Sequence, residues 1–355
     1  MNYCQPMAES WENPRSEDKA APDSYARAGV DVGAGNEAIA RYREVLGQWR
    51  HPAQLDAFGG FAGIFRLPGD SDRALVASTD GVGTKVLIAA ELGHYGSVGT
   101  DLVNHCVNDI LVCDATPLFF LDYLATGKLD PQAAGEIVRG CAQACRRHDC
   151  ALLGGETAEM PGLYQAAHFD LAGTIVGIVT LEALSRLGGV EAGDAIVGLP
   201  AMGLHTNGYS LARALIDRAE WNARFGESTY GAALLAEHPS YYEAVRAIER
   251  VARVKAMAHI TGGGLLENVG RTLPPDVKAV FEQQRWSVPP IIEELVRRGK
   301  LGAQERYRVF NMGVGYTLVV PVTDAAAAVG AVSGARVVGW IETRIGDEPQ
   351  VVIHS

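Results

Sequence analysis

Three carboxylates stand beside glycine-rich or apolar segments in the first half of the sequence. Asp80 lies in Thr79-Asp-Gly-Val-Gly-Thr-Lys85, which follows an apolar run and precedes a helical pattern. Asp109 ends Asn104-His-Cys-Val-Asn-Asp109, and Glu156 lies in Gly154-Gly-Glu-Thr-Ala-Glu-Met-Pro161. Mg²⁺ takes one or two protein carboxylates and completes its shell with water and phosphate oxygens. Two Mg²⁺ ions on one triphosphate would therefore use all three carboxylates.

Each of these segments also has a structural interpretation when it is taken alone. The Asp80 segment is equally typical of a strand–turn–helix junction with a turn aspartate and a solvated Lys85. For Asn108 and Asp109 taken alone, the polar edge of an amphipathic helix is the favoured interpretation. Glu156 would equally be a surface glutamate in a turn. The metal hypothesis therefore depends on the three carboxylates acting together.

Short glycine clusters supply a second kind of candidate, a backbone cradle for phosphate. Gly81 and Gly83 would let N–H groups approach a phosphate whose charge Lys85 neutralises. The segment Thr261-Gly-Gly-Gly264 opens a helical pattern and predicts another cradle, with a hinge or a packed turn as the alternative. Neither the P-loop pattern nor the dinucleotide fingerprint occurs in the sequence. If the protein uses ATP, it must hold the nucleotide in another way.

A histidine and an asparagine stand just before a helical pattern in the second half. They are His205 and Asn207 of Gly203-Leu-His-Thr-Asn-Gly-Tyr-Ser210. Helix starts bind anions well because their N–H groups have no intrahelical partner. A histidine in isolation is more often structural or solvated, and on this segment alone that interpretation is favoured.

Apolar periodicity predicts the elements that must position these residues. Strands are predicted at 64–67, 75–78, 118–124, 151–153, 174–179, 195–199, 316–320, 337–341 and 351–353, with the strand at 118–124 buried. Helices are predicted at 36–47, around 86–90, at 101–113, from Pro131 onward, at 211–219 and at 242–251. The 355 residues suit two domains. We place the boundary between 24–183 and 184–355, and the polar segment 1–23 is predicted to be a disordered extension.

Composition excludes several classes of function. The net charge is −11 and no large basic cluster occurs, so nucleic acid is not an expected partner. The sequence shows no signal-peptide pattern and no apolar run long enough for a membrane span, which predicts a cytoplasmic protein with free thiols. Cys141, Cys145, His148 and Cys150 superficially resemble a zinc site. Their spacing matches no standard zinc knuckle, and we predict that they are core residues.

In chain order, these segments resemble the phosphoribosylformylglycinamidine cyclo-ligase family. The most specific motifs are Gly-Gly-Glu-Thr-Ala-Glu-Met-Pro-Gly162 and His205-Thr-Asn-Gly-Tyr-Ser-Leu211. Further matching motifs lie at 25–36, 59–63, 79–85, 106–109, 117–123, 259–264 and 311–315. The resemblance covers roughly residues 25–353, nearly the whole chain.

The resemblance implies an α+β protein with the two-domain aminoimidazole ribonucleotide synthetase-like fold. The N-terminal domain, 24–183, would bind ATP and would pair in a homodimer to form a shared β-barrel. The implied reaction is ATP-dependent cyclisation of formylglycinamidine ribonucleotide to aminoimidazole ribonucleotide, ADP and phosphate in purine biosynthesis. Mg²⁺ is the implied cofactor, and the resemblance leaves a monovalent-cation requirement open. It implies no membrane or nucleic-acid partner.

The resemblance also implies roles for individual residues. The metal ligands would be Asp80, Asp109 and Glu156, and the catalytic groups would be His205, Asp109 and Lys85. The implied ATP and phosphate contacts are Gly59, Gly60, Gly63, Thr79, Asp80, Gly81, Gly83, Lys85, Asn207, Thr261, Gly262, Gly263 and Gly264.

Two competing interpretations remain. Thiamine-monophosphate kinase and selenophosphate synthetase relatives use similar carboxylates, but the sequence motifs in their second halves differ from His205–Leu211. An inactive nucleotide-binding paralogue would be expected to lack Asp80, Asp109 or His205, and all three are present.

Overall fold

The computed structural model of the protein describes residues 32–55, 60–69 and 71–354. The predicted extension at 1–23 and the predicted phosphate contact Gly59 lie outside these residues. The predicted domain boundary after residue 183 falls within a short helix, Leu181–Arg186, between two separate sheets.

The first half contains one five-stranded sheet with helices packed against it. The strands are β1 (Gly63–Arg66), β2 (Arg73–Gly81), β3 (Thr116–Thr126), β4 (Ala151–Glu159) and β5 (Phe169–Thr180). The helices are α1 (Val32–Gly47), α2 (Lys85–Leu92), α3 (Tyr95–Leu111), α4 (Pro131–Arg147) and α5 (Leu181–Arg186). The strand order is β1-β2-β5-β3-β4, with β3 and β4 parallel and the other neighbours antiparallel.

The second half contains a six-stranded sheet in the order β13-β10-β12-β6-β11-β9. Its strands are β6 (Ala195–Pro200), β9 (Ala256–His259), β10 (Val277–Glu282), β11 (Val314–Val320), β12 (Arg336–Thr343) and β13 (Val351–His354), and β7 (Arg224–Phe225) with β8 (Ser228–Thr229) forms a separate hairpin. Its helices are α6 (Tyr209–Leu215), α7 (Tyr230–Leu234), α8 (Tyr242–Glu249), α9 (Gly264–Gly270), α10 (Pro290–Gly299), α11 (Ala303–Val309) and α12 (Ala325–Ala331). None of the helices in the described ranges is both long and apolar enough to span a bilayer.

Three predicted elements differ from the structure for identifiable reasons. Helix α3 begins at Tyr95 rather than at 101, because Gly96 and Gly99 weaken its helical signal. Those glycines instead allow a close helix crossing: a Cβ on Gly99 would lie 2.1 Å from the carbonyl oxygen of Ile137 on α4. The helix predicted at 211–219 ends at Leu215, and Asp217 then caps a separate 3₁₀ turn. Strand β3 is not uniformly buried, since its residues alternate between buried and exposed positions.

The cysteine stripe of α4 lies in the core, as predicted. Helix α4 begins at Pro131, where the Asp130 carboxylate accepts hydrogen bonds from the N–H groups of Gln132 and Ala133. Cys141 and Cys145 are buried free thiols. His148 follows the helix and is only 8 % exposed. Burial, aided by the charge of Arg147, lowers the pKa of His148 to about 4.

His148 is expected to make the protein sensitive to mild acid. Its folded pKa lies below the value of about 6.5 for an unfolded histidine, so the unfolded chain binds the proton more readily. The stability that neutral His148 contributes is therefore complete above pH ~6.5 and is lost as the pH falls towards 4. Equilibrium urea unfolding from pH 7 to 4 should show a shallower fall in stability for His148→Gln, by up to about 1.4 kcal/mol per pH unit. Exposed His94→Gln is the control, and identical pH slopes for wild type and His148→Gln would contradict the prediction.

Candidate active site

Asp80 ends strand β2 at the boundary between the two halves of the chain. Its Oδ1 atom accepts a hydrogen bond from the Gly81 N–H at 2.6 Å, and its Oδ2 atom lies 2.7 Å from His105 Nε2. The Asp80 side chain remains 42 % exposed. A carboxylate held at both oxygens and still open to solvent is a fitting ligand for a cation that keeps part of its water shell.

Asp109 lies behind Asp80, on the face of α3 that packs against the sheet. Its Oδ1 atom is 2.8 Å from His259 Nδ1, and its Oδ2 atom accepts from the Ser78 hydroxyl at 3.3 Å. His105 stands one turn earlier on α3, with its Nε2 atom 3.6 Å from Asp109 Oδ2. Asp109 is only 7 % exposed. Asp109 is therefore a buried carboxyl group behind Asp80, whose own side chain faces solvent.

Charge and burial together shift the pKa values of this group. Burial lowers the pKa of His105, but the charges of Asp80 and Asp109 outweigh it and raise that pKa to about 9. Burial raises the pKa of Asp109 to about 7, against the opposing charge of His105. Burial alone would also raise the pKa of Asp80, yet His105 holds it below its ordinary value. At neutral pH His105 is therefore a cation that forms an ion pair with an ionised Asp80.

The glycine turn after Asp80 contacts the loop before α6. An added Cβ at Gly83 would lie 3.8 Å from the carbonyl oxygen of Thr206, and the hydroxyls of Thr84 and Ser210 are 3.4 Å apart. Asn207 lies in the same loop, and its buried Nδ2 group has no hydrogen-bond partner among the residues that the structure describes. Buried polar groups are normally paired, so this donor is a good candidate to receive a ligand.

The Thr261–Gly264 segment lies beside Asn207. An added Cβ at Gly262 would lie 3.4 Å from Asn207 Oδ1. The Asn268 side chain holds the segment by donating to the carbonyl oxygens of Thr261, Gly262 and Gly264. Gly264 has φ 59°, and a Cβ there would lie 1.9 Å from the carbonyl oxygen of Tyr307. Only glycine fits at this position. The structure thus brings Asp80, the Gly81–Gly83 turn, Asn207 and this loop to one boundary.

Lys85 does not occupy the position expected of a phosphate contact. Its side chain is fully buried, with Nζ 2.6 Å from Asp101 Oδ2. The same ammonium group donates to the carbonyl oxygens of His205 at 3.2 Å and Ala236 at 2.8 Å. The ammonium group thus has one ion-pair partner and two hydrogen-bond acceptors within the protein. Lys85 therefore anchors α2 to the second half instead of facing a ligand.

His205 is also placed differently from the acid–base group that the sequence suggests. It is fully buried, and its ring stacks on His238 with centroids 4.2 Å apart. Its Nε2 atom lies 3.3 Å from the Tyr241 hydroxyl. Burial lowers its pKa well below the ordinary value, so the ring is neutral. The structure gives His205 a packing position, and its catalytic role stays a prediction.

The remaining predicted site residues fall into two groups. Gly60 and Gly63 flank Phe61, whose carbonyl oxygen accepts from the Ser78 hydroxyl at 3.1 Å, so that loop lies near Asp109. Glu156 is exposed on edge strand β4, and strands β5 and β3 separate it from Asp80. Three strand spacings correspond to roughly 14 Å. A single chain therefore does not assemble the three predicted metal carboxylates.

Sequence reasoning missed the histidines that surround Asp109. His105 stands four residues before Asp109, a spacing that places both on one helix face, and this signal was available. His238 and His259 come from distant loops and strands. Their Nε2 atoms lie 3.0 Å apart, but no local pattern connects them in the sequence.

Comparison with known proteins identifies the family that the chain resembles. The family models "AIR synthase related protein, N-terminal domain" and "AIR synthase related protein, C-terminal domain" match residues 59–179 and 191–351. The phosphoribosylformylglycinamidine cyclo-ligase of Nitrosococcus oceani is 44% identical over 329 residues, 92% of each chain. The enzyme of Myxococcus xanthus is 42% identical over 342 residues, 93% of this chain and 99% of that one.

Solved structures share the fold at much lower sequence identity. The thiamine monophosphate kinase homologue described as "AaThiL complexed with AMPPCP and TMP" has a TM-score of 0.61 at 16% identity, covering 89% of this chain and 92% of that chain. The hydrogenase maturation protein HypE in complex with ATP has a TM-score of 0.61 at 17% identity, covering 81% and 83%. Identities this low establish the fold alone.

Fold and matches together define the class: a two-domain α+β protein of the AIR synthase related group. Within that class, several phosphoribosylformylglycinamidine cyclo-ligases are 41–44% identical to this chain over more than nine-tenths of its length, and this similarity decides the family. The chain belongs to the phosphoribosylformylglycinamidine cyclo-ligase family.

Proposed function

We propose that the protein is a ligase of purine biosynthesis that uses ATP to cyclise formylglycinamidine ribonucleotide to aminoimidazole ribonucleotide. The observation that carries the proposal is the meeting of Asp80 and its glycine turn with Asn207 and the Thr261–Gly264 loop. These groups offer one carboxylate and several N–H donors at a single boundary. Such a set suits a metal-bound triphosphate in a protein that has no P-loop.

Mg²⁺ fits the donors at this boundary. Asp80 has an exposed carboxylate, and the Asp109 charge lies directly behind it. Bound Mg²⁺ would neutralise charge on the phosphate oxygens during phosphoryl transfer. Asp80 would be its direct protein ligand, whereas Asp109 would add charge from the second layer.

The chain's own groups position the reactants and exclude water. The Asn207 amide and the backbone N–H groups of Gly262 and Gly263 would donate to phosphate oxygens, whereas the Gly264 N–H already donates to the Thr261 carbonyl oxygen. The amide oxygen of the substrate is a poor leaving group, and its phosphorylation converts it to a good one. The amidine nitrogen then forms the ring C–N bond at the same carbon, the C–O bond to phosphate breaks as inorganic phosphate departs, and the ring loses one N–H proton. Catalysis of this type depends chiefly on holding the γ-phosphate and the formyl oxygen in line.

We also propose that the N-terminal sheets of two copies pair to form a shared β-barrel in a homodimer. Apolar side chains are exposed on neighbouring strands β3 and β4, including Leu121 at 40% and Leu153 at 63% exposure. Contiguous exposed apolar surface of this kind marks interaction sites. Glu156 lies on the same edge strand, so pairing would change its surroundings. This supports keeping Glu156 as a proposed metal ligand of the assembled dimer.

The activity assay tests the function directly. The purified protein should convert formylglycinamidine ribonucleotide to a diazotisable aromatic amine, with one ADP and one phosphate per product, in the presence of ATP and Mg²⁺. A control reaction lacking the ribonucleotide should form little ADP. ADP release with transfer of phosphate to an added acceptor, and without ring formation, would instead favour a kinase of the same fold. Absence of amine at high enzyme concentration would contradict the proposal.

A further inference from the structure

A chain of side-chain contacts crosses the boundary between the two halves and begins at Asp80. His105 Nε2 lies 2.7 Å from Asp80 Oδ2, and His105 Nδ1 lies 2.6 Å from the Thr206 hydroxyl oxygen. The contacts then continue through buried groups to Asp109. They join Thr206 Oγ1 to His238 Nδ1 at 3.5 Å, His238 Nε2 to His259 Nε2 at 3.0 Å, and His259 Nδ1 to Asp109 Oδ1 at 2.8 Å.

His105 and Thr206 make the two short contacts of this chain. Both ring nitrogens of His105 are in use, one towards the first half and one towards the second. His105 is 2 % exposed and Thr206 is 8 % exposed, so water does not compete for these contacts. His105 Nε2 and the Asp80 carboxylate lie at ion-pair distance, whereas His105 Nδ1 and the Thr206 hydroxyl form a hydrogen bond. The Asp80 carboxylate is therefore oriented through the loop that carries Asn207.

We propose that His105 and Thr206 are positioning residues that hold the Asp80 carboxylate in a fixed position relative to the loop before α6. This inference rests on the proposed function, because it assigns Asp80 and Asn207 to one nucleotide site. Thr206 immediately precedes Asn207, so a contact that fixes Thr206 also fixes the neighbouring amide. The bridge keeps the cation-binding group of the first half aligned with the phosphate-binding groups of the second half.

A metal ion held by the three histidines farthest from Asp80 is a weaker interpretation of that part of the cluster. His205, His238 and His259 bring one nitrogen each within 4.8 Å of one another. However, the rings of His205 and His238 are stacked, with an interplanar angle of 12°. A ligating imidazole places the metal ion in its own ring plane, and two parallel stacked rings cannot do so for one ion. The hydrogen-bonded bridge requires no such rearrangement.

The bridge can be broken from either side without altering a proposed ligand. Thr206→Val removes the hydroxyl and preserves the shape, and Thr206→Ser keeps the hydroxyl. His105→Asn retains an amide near the Nδ1 position and loses the Asp80 contact. Thr100→Val is the matched control, because its buried hydroxyl also donates one hydrogen bond, to the carbonyl oxygen of Gly140 at 3.3 Å, away from the site.

The direct readout is calorimetric binding of Mg²⁺-ADP to the full-length protein, with thermal unfolding measured on the same samples. Thr206→Val and His105→Asn should each weaken binding by about 10–100-fold, the usual effect of groups that orient metal ligands. Thr206→Ser should recover most of the affinity, and Thr100→Val should bind as wild type does. In turnover assays, KM for ATP should rise while kcat at saturation stays within a few-fold.

The outcomes separate the bridge from the function on which it rests. Failure of the wild-type protein to bind Mg²⁺-ADP would contradict the proposed function, and the bridge proposal with it. If the wild type binds and Thr206→Val lowers only the melting temperature, the contact is merely structural. The two single effects should also be non-additive in His105→Asn/Thr206→Val, since each change interrupts the same bridge at a different contact. Full additivity would overturn the proposal.

Discussion

Replacement of Asp80 by asparagine is expected to lower kcat/KM for ATP by at least about 100-fold, more than the loss of a group that only orients a metal ligand. Asp80 is the carboxylate that remains open to solvent at the boundary, and an amide is a much poorer ligand for Mg²⁺. Raising the Mg²⁺ concentration should recover part of the loss if cation affinity is the cause. Initial rates over a Mg²⁺ titration provide the measurement.

The control for this experiment is Asp72→Asn. Asp72 precedes the same strand, β2, and its side chain is 83 % exposed at a distance from the boundary. Its kinetics should match the wild type at every Mg²⁺ concentration. Wild-type kinetics in Asp80→Asn would mean that Asp80 serves only to shape the turn through its contact with the Gly81 N–H.

Replacement of Lys85 by methionine is expected to lower the free energy of unfolding by about 3–5 kcal/mol, because it leaves the Asp101 carboxylate buried without its charge partner. Both side chains of this pair are fully buried. Burial already raises the pKa of Asp101, and Lys85 opposes that rise. Equilibrium urea unfolding measures the loss. Exposed Lys128→Met is the control and should change the free energy of unfolding by less than about 0.5 kcal/mol.

A second substitution separates the two roles considered for Lys85. The double variant Lys85→Met/Asp101→Asn removes both charges. In the wild type the backbone N–H of His238 donates to Asp101 Oδ1 at 2.7 Å, and the side-chain oxygen of asparagine can still accept this hydrogen bond. The double variant should therefore be more stable than Lys85→Met alone. If Lys85 were instead a phosphate contact, Lys85→Met would keep its stability and show a raised KM for ATP. That result would reject the anchoring role.

The segments that meet at the boundary could be recognised from the sequence because their signals are local. Glycine runs next to carboxylates and amides mark turns at the ends of apolar elements, wherever those elements lie in the fold. The Thr79–Lys85 and Thr261–Gly264 segments both lie at the boundary where we propose the site. The cysteine stripe of α4 was equally predictable, since the 3.6-residue period alone puts Cys141 and Cys145 on one buried face.

Burial of individual polar groups was decided only by the tertiary structure. The local sequence around Lys85 and His205 is compatible with a solvent-facing side chain, and distant carbonyl oxygens and rings enclose both residues. Glu156 likewise follows a good turn motif, but the strand order β2-β5-β3-β4 places two strands between it and Asp80. The sequence determined which segments approach a ligand, because backbone turns are local. Long-range packing decided which side chains of these segments reach the ligand. A side chain is buried or exposed according to the neighbours that folding brings around it.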